Sequence, residues 1–422
     1  MYYVTRLDNG LTIATAEMPH LASVSVGLWL GMGSRYEPAR LNGICHFIEH
    51  MLFKGTRRRS AKQISQAIEG VGGYLNAFTS EETTCFHARA GHDHFKTILD
   101  VLMDMLLESK LAEPDIAKER EVIKEEIAMY LDQPQHHVQE LLNATCWRNQ
   151  PLGRSITGTS ATLDAMRRAD LAGFLKQNYL ASNTCIVAAG KVTHRQHMRA
   201  VAGYSSRLPR DERPRFSAAR DEQVGPRIRL FTKETEQTQI ALGLRTCSRH
   251  DPRRYALRLL NAVLGENMSS RLFQVVREER GLAYSIYSTT SFFDDTGDLV
   301  ITAGLETEKL CQALRLILRE LQGLRNTPPG AGELRRARDY ILGQVDLNLE
   351  SADGQMNWAG DQLVGYRTIQ KPVEFKRRLR SVTPGDLRAV ARDFFRPDRL
   401  NLALVSPLKS DRQLVGVIKK FT

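Results

Sequence analysis

Two histidines and a glutamate are spaced so that one helix face could present all three to a metal ion. His46, Glu49 and His50 form an H-x-x-E-H pattern, and the residues around them favour a helix. Because positions three and four apart share a helix face, the three side chains are predicted to point the same way. Two imidazoles one turn apart can bind zinc through ring nitrogens at about 2.0–2.1 Å. The carboxylate beside them could then take a proton from a water that the metal has acidified.

This pattern needs support from the rest of the chain, since a short motif also arises by chance on an amphipathic helix. A catalytic zinc requires a third protein ligand and one position left for water. The acid-rich segment 115–131 is predicted to be helical and is the natural source of that ligand. Its Glu119 and Glu126 are seven residues apart and therefore share one face. Such glutamates are also typical of a solvated helix surface.

The size and composition of the chain are those of a globular protein. Its 422 residues suffice for two or three domains, and 42% hydrophobic with 25% charged residues argue against extensive disorder. Basic residues exceed acidic ones by 59 − 48 = 11, which could attract nucleic acid, anionic lipid or acidic peptides. They are scattered, however, and the compact run at 57–59 is expected to be a solvated loop. We therefore expect no nucleic-acid partner.

The cysteines and the apolar segments bear on the cellular compartment. The six cysteines lie far apart without a C-x-x-C pair, so free thiols in a reducing environment are expected. No apolar run approaches the ~20 residues that span a bilayer. The first residues lack the charged head and apolar core of a secretory signal. The expectation is a cytoplasmic protein without membrane contact.

The alternation of strand and helix patterns predicts an α+β fold. Strand-like runs at 23–30, 74–79 and 83–90 alternate with helical periodicity at 60–70 and 93–110. We expect an antiparallel sheet covered on one face by helices.

The second half of the chain repeats this pattern. Apolar content falls and Pro, Arg, Asp and Glu accumulate at 205–225, so this segment is predicted to link two homologous domains, 1–204 and 226–422. On the equivalent helix of the copy, 254–264, apolar residues replace the three motif residues. Histidine and glutamate on a core-facing stripe cost free energy unless they are paired or bind a metal, so this asymmetry argues against chance.

Several motifs together resemble the pitrilysin family of inverted-motif zinc peptidases, with the mitochondrial processing peptidase and its bacterial relatives the most similar members. The motifs are H-x-x-E-H at 46–50, G-G-x-x-N-A-x-T at 72–79 and E-R-x-V-I-x-x-E at 119–126. The resemblance covers nearly the whole chain. It implies a zinc-binding first domain and a second domain that lacks the zinc ligands.

The resemblance also implies roles for individual residues. His46, His50 and Glu126 would hold one zinc ion per chain. Glu49 would be the general base, and Glu119 would be a second acidic residue that supports the site.

Substrate contacts are implied as well. Asn76, Ala77 and Phe78 match the edge strand that pairs with an extended substrate through backbone hydrogen bonds. In the second half, Arg277 and Tyr284 resemble a pair that holds the substrate backbone and stabilises the oxyanion.

The predicted function is zinc-dependent cleavage of unstructured peptides or presequence-like segments. Two-domain members of the family pair with a second chain to close a chamber, in which the Arg/Tyr pair faces the zinc site of the partner. Because this chain carries both halves of that machinery, a homodimeric clamshell is expected. A heterodimer with an inactive paralogue is the alternative assembly.

Two other functional classes stay open at this level. One is a non-catalytic scaffold, as in family relatives that became core subunits of respiratory complexes or inactive partners. The other is nucleic-acid binding driven by the positive charge, which would weaken steeply with salt and for which the sequence contains no recognition motif.

Overall fold

The protein, described by a computed structural model over residues 2–421, contains two mixed sheets with helices on both faces. The strands are β1 Tyr2–Arg6, β2 Thr12–Glu17, β3 Ser23–Leu30, β4 Tyr74–Thr79, β5 Thr84–Gly91, β6 Thr184–Gly190, β7 Arg227–Thr232, β8 Thr238–Thr246, β9 Ala283–Phe292, β10 Gly297–Leu305 and β11 Leu400–Ser406. The strand order is β1-β2-β6-β3-β5-β4 in the first sheet and β7-β11-β8-β10-β9 in the second.

Helices connect these strands and pack on the sheets. They are α1 Ile44–Leu52, α2 Ala61–Glu69, α3 Phe95–Glu108, α4 Glu113–Asp132, α5 Pro134–Cys146, α6 Ser160–Ala165, α7 Arg168–Asn178, α8 His194–Ser205, α9 Arg254–Leu264, α10 Leu310–Asn326, α11 Ala331–Leu349, α12 Ala352–Tyr366, α13 Pro372–Ser381, α14 Pro384–Phe394 and α15 Arg412–Ile418. Among residues 2–421, no helix combines the length and apolarity that crossing a bilayer requires.

The predicted α+β class and the internal repeat are confirmed. Apart from β1, the two sheets have the same connectivity, with β2, β6, β3, β5 and β4 corresponding to β7, β11, β8, β10 and β9. The sheets are not purely antiparallel as predicted, since each contains a parallel pair, β2 with β6 and β7 with β11. These strands are distant in sequence, so no hairpin signal reveals their direction.

The chain forms two compact units, and each includes a helix from the opposite half of the sequence. The first unit comprises residues up to 127, 154–217 and 346–370, and therefore contains α12. The second unit comprises 128–153, 218–345 and the residues from 371 onward, and therefore contains α5. The sequence predicted contiguous domains and did not indicate this exchange of helices. An amphipathic helix shows which face is buried but does not specify which sheet that face will cover.

These two helices lie on the sheet faces opposite the main cores. In the first unit, α12 packs on β3 and β6, where Met356 and Ala359 join Trp29 and Val187 in a small apolar cluster. In the second unit, α5 packs on β8 and β11. Helices thus cover both faces of each sheet, whereas the sequence predicted one face.

The basic run at 57–59 is occupied by intramolecular ion pairs. The guanidinium of Arg58 lies 2.9 Å from Asp100, and that of Arg59 lies 2.6 Å from Asp104. Both acidic residues project from α3. The six cysteines, all between residues 2 and 421, are free thiols.

The close approach of α12 to the first sheet depends on a glycine. A Cβ atom at Gly360 would lie 2.1 Å from the indole of Trp29. We expect Gly360→Ala to cost about 1–3 kcal/mol, because the tryptophan or the helix must move. Urea unfolding monitored by tryptophan fluorescence measures this loss.

Gly173→Ala is the matched control. Gly173 lies inside α7, and nothing stands within 4 Å of an added Cβ. Because alanine restricts the unfolded chain, this variant should gain roughly 0.4–1 kcal/mol. Equal urea midpoints for both variants would contradict the packing described for α12.

Candidate metal centre

The motif helix α1 begins at a cap supplied from a preceding loop. The buried carboxylate of Glu37 accepts hydrogen bonds from the backbone N–H groups of Gly43 (2.8 Å) and Cys45 (2.9 Å) and from the side chain of Asn42 (3.0 Å). A carboxylate at this end also interacts favourably with the helix dipole. Burial nevertheless raises the pKa of Glu37, which these three donors oppose. The cap holds the start of α1 directly before His46.

Three ligand atoms converge on one point between α1 and α4. Oε2 of Glu126 lies 3.7 Å from Nε2 of His46 and 3.6 Å from Nε2 of His50. These separations are too long for hydrogen bonds. Two atoms bound to one tetrahedral zinc ion at about 2.0–2.2 Å are separated by roughly 3.3–3.5 Å, which is close to what is observed. The donor set and its spacing therefore fit a zinc ion.

The two histidine ligands have different surroundings. Burial, reinforced by the nearby His50, lowers the pKa of His46 to about 4, although Glu126 opposes the shift. His46 is therefore a neutral imidazole at physiological pH, which is the form that binds metal. Its buried Nδ1 has no hydrogen-bond partner among the described residues.

His50 is held through its other ring nitrogen. Its Nδ1 lies 3.2 Å from Oε2 of Glu119, and Oε1 of Glu119 lies 2.7 Å from Nζ of Lys54. A carboxylate behind a metal-binding histidine fixes the tautomer and the ring orientation, so that Nε2 faces the metal. Glu119 is 2% exposed and contacts His50, while the carboxylate of Glu126 completes the ligand cluster.

Glu49 lies on the same helix but outside the group of three ligands. Its Oε2 accepts a hydrogen bond of 2.5 Å from the hydroxyl of Thr79, the last residue of β4. Burial raises the pKa of Glu49, while the Thr79 hydroxyl and His50 oppose the shift. A carboxylate that does not bind the metal and has a raised pKa is suited to exchanging protons.

The predicted substrate strand is an unpaired sheet edge. β4 ends the first sheet and carries Asn76, Ala77 and Phe78. The N–H of Ala77 donates to Oδ1 of its neighbour Asn76 (2.8 Å), and the Phe78 ring packs edge-on against Trp29 at 5.6 Å. Edge strands can add an extended peptide through their free backbone groups.

The remaining predicted residues belong to the second compact unit. Arg277 lies in a π-helical turn, Phe273–Glu278, with its guanidinium 4.7 Å from the centre of the Phe273 ring. Such turns are frequent at functional sites. Tyr284 lies on β9, an edge strand of the second sheet, and is 76% exposed. The predicted zinc ligands, Glu49, Glu119 and the substrate strand all belong to the first unit.

Sequence reasoning missed three contributors to the site. Lys54 lies two residues beyond the end of α1, and its contact with Glu119 joins two elements, so no local spacing indicates it. Thr79 belongs to a recognised motif, but its contact with Glu49 joins a strand to a helix and leaves no local signal. Glu37 bonds across a loop to residues five to eight positions away, which no periodicity predicts.

Comparison with known proteins agrees with this geometry. Residues 12–160 match the family described as insulinase (peptidase family M16), and residues 165–341 match the peptidase M16 inactive domain. The chain belongs to peptidase family M16. This confirms the predicted resemblance, and the label of the second match agrees with the apolar residues on α9.

Relatives across bacteria carry similar descriptions. A protein of Streptomyces coelicolor named an uncharacterized zinc protease is 39% identical, over 97% of this chain and 90% of its own length. The uncharacterized zinc protease YmxG of Bacillus subtilis is 36% identical, over 95% of this chain and 97% of its own.

Solved structures share the fold. A protease from Helicobacter pylori superposes with a TM-score of 0.91 at 22% identity, covering 96% of this chain and 99% of that one. A Pseudomonas fluorescens protein described as a peptidase M16 inactive domain gives a TM-score of 0.89 at 18% identity, covering 97% and 99%.

The choice of Glu126 as third ligand is testable against its neighbour. We expect Glu126→Gln to abolish stoichiometric zinc binding, because an amide is a poor zinc ligand. Glu125→Gln removes the same charge from an exposed position one residue away and should keep the metal. Zinc content after desalting, measured by mass spectrometry, separates the two variants. Loss of zinc from the Glu125 variant with retention in the Glu126 variant would reverse the assignment.

Proposed function

We propose that this chain is a zinc-dependent endopeptidase that cleaves unstructured peptides or presequence-like segments. The observation that carries the proposal is the convergence of His46, His50 and Glu126 beside a carboxylate, Glu49, that stays outside the cluster. A structural zinc site is closed by four protein ligands, whereas a catalytic site keeps one position for water. Three ligands and a neighbouring base favour the catalytic form.

The residues of the chain divide the chemistry between them. His46, His50 and Glu126 would hold one zinc ion, which supplies Lewis acidity toward the peptide carbonyl and the attacking water. Glu49 takes the proton from that water and later delivers it to the leaving amine nitrogen. The Thr79 hydroxyl holds Oε2 of Glu49, and Oε1, which accepts no hydrogen bond from residues 2–421, can face the substrate.

Substrate would bind as an added strand along β4. Asn76, Ala77 and Phe78 lie on this edge strand, where the N–H of Ala77 would leave Oδ1 of Asn76 to donate to a substrate carbonyl. Thr79 at the end of the same strand contacts Glu49. A peptide paired with β4 would therefore run past the general base. Only a segment without its own secondary structure has backbone groups free for this pairing, which accounts for the substrate class.

The proposed assembly is a homodimeric clamshell. Arg277 and Tyr284 would reach the zinc site of the partner subunit, hold the peptide backbone and stabilise the developing oxyanion. A heterodimer with an inactive paralogue is the competing assembly.

A non-catalytic scaffold is the competing function, and one substitution separates it from the peptidase. Glu49→Gln keeps the shape of the side chain but cannot accept the proton. We expect it to retain zinc and to lower kcat by about 10²–10⁴-fold on quenched fluorescent peptides, with Glu125→Gln close to wild type. Zinc-loaded wild-type protein that cleaves no peptide of a diverse library would favour the scaffold.

Mixing two inactive variants tests the shared site. In a dimer of Glu49→Gln with the double variant Arg277→Ala/Tyr284→Phe, one site would combine an intact zinc centre with an intact Arg/Tyr pair. After random subunit exchange, about a quarter of wild-type activity should return. No recovery, with exchange demonstrated by subunits carrying different tags, would mean that both parts of a site come from one chain.

A further inference from the structure

A cavity of about 820 Å³ in the first compact unit lies between the start of α3 and α8. Its apolar lining includes Phe95, Leu99 and Val192, which are all nearly buried. The volume is within the range of small-molecule sites, about 300–1,000 Å³. The proposed peptidase chemistry uses none of the residues that line it.

Three cations line the same cavity from three different segments. Lys96 belongs to the first turn of α3, Lys191 follows β6, and Arg199 projects from α8. Among residues 2–421, no acidic side chain forms an ion pair with any of the three, and their side chains make no hydrogen bond. This contrasts with Arg58, whose side chain is 50% exposed and yet is paired with Asp100.

The acidic residues of the cavity already have partners. Asp100 accepts hydrogen bonds from Arg58 (2.9 Å) and from the hydroxyl of Tyr204 (2.7 Å), and it also pairs with Arg59. Asp93 lies 3.1 Å from His92, and its side chain is 83% exposed. Among residues 2–421, no carboxylate lies within ion-pair distance of Lys96, Lys191 or Arg199.

We infer that this cavity binds a small phosphorylated ligand with a flat apolar body, of the nucleoside diphosphate class. Cations on three segments around a concave floor can approach several oxygens of one compact polyanion. An extended acidic peptide would instead bind best to positive charges arranged in a row along one groove. The half-buried ring of Tyr204 and the aliphatic stems of Lys96 and Lys191 offer contact area for a base-like ring above this nearly buried floor.

Calorimetric titration of the zinc-loaded chain with ADP tests this inference, with adenosine and tripolyphosphate as separate arms. ADP should bind more tightly than either, since its phosphates can pair with the cations while its adenosine contacts the apolar lining. Raising NaCl from about 50 mM to about 200 mM should weaken ADP binding severalfold, because exposed charges are screened. Absence of ADP binding at the lower salt concentration would overturn the site, and so would tighter binding of a polyglutamate peptide than of ADP.

A charge-matched pair of variants localises the binding. The cavity variant Lys96→Ala/Lys191→Ala/Arg199→Ala should bind ADP at least about tenfold more weakly. The control Lys62→Ala/Lys118→Ala/Arg195→Ala removes three exposed cations that do not line the cavity and should stay within about threefold of wild type. Equal weakening in both would show diffuse attraction to a basic protein and would refute the site.

Two features keep the result interpretable. Chelation of zinc by ADP would give the same signal in all three proteins, so only a difference between the triple variants counts as cavity binding. The single variant Lys191→Ala replaces the triple one if melting temperatures show that the triple variant does not fold. Peptidase activity does not enter the measurement, so this inference and the proposed function can fail separately.

Discussion

The contact between α1 and α4 is the interaction on which the candidate centre depends. Burying carboxylates and imidazoles costs several kcal/mol per charged group unless each finds a partner. Glu119 is nearly inaccessible and is satisfied on both sides, by Lys54 and by His50. Glu126 then stands about two helical turns further along α4, opposite both histidines. The pairing of Glu119 thus fixes the rotation of α4 against α1 that brings the third ligand into place.

A second constraint joins the helix to the sheet. Glu49 is bonded to Thr79, so the proposed general base is positioned by the same strand that would receive the substrate. The buried cap at Glu37 fixes the other end of the motif helix through backbone N–H groups. α1 has only nine residues, and so short a helix has little stability of its own. Because contacts hold it at both ends, it can present three functional side chains on one face.

The two copies of the repeat share their architecture but differ in the chemistry of their side chains. Both sheets have the same connectivity and each has a helix on its second face, yet α9 carries Ala256, Leu259 and Leu260 where α1 carries the motif residues. In the second unit these positions are 5%, 0% and 0% exposed and belong to the main core. The same topology thus supports a metal-binding helix in one copy and an ordinary core helix in the other. The edge strand is kept in both, as β4 and β9.

Residue types and local spacing determined much of this protein before any folding is considered. Helical periodicity was enough to place His46, Glu49 and His50 on one face, and the seven-residue interval was enough to align Glu119 with Glu126. The strand and helix pattern identified the α+β class and the repeat, because periods of about two and 3.6 residues are properties of the local backbone. Family motifs were needed to assign the role of metal ligand to Glu126 and the supporting role to Glu119.

Only the tertiary structure decided the rest. It selected the sheets that α5 and α12 cover, the parallel strand pairs, and the contacts of Glu37 and Thr79. All of these join residues that are distant along the chain or lie on different elements. The cavity beside α3 and α8 is likewise assembled from three separate segments, so no single stretch of sequence contains it. Periodicity states which side of an element is buried, but the partner of that side is chosen by packing across the whole chain.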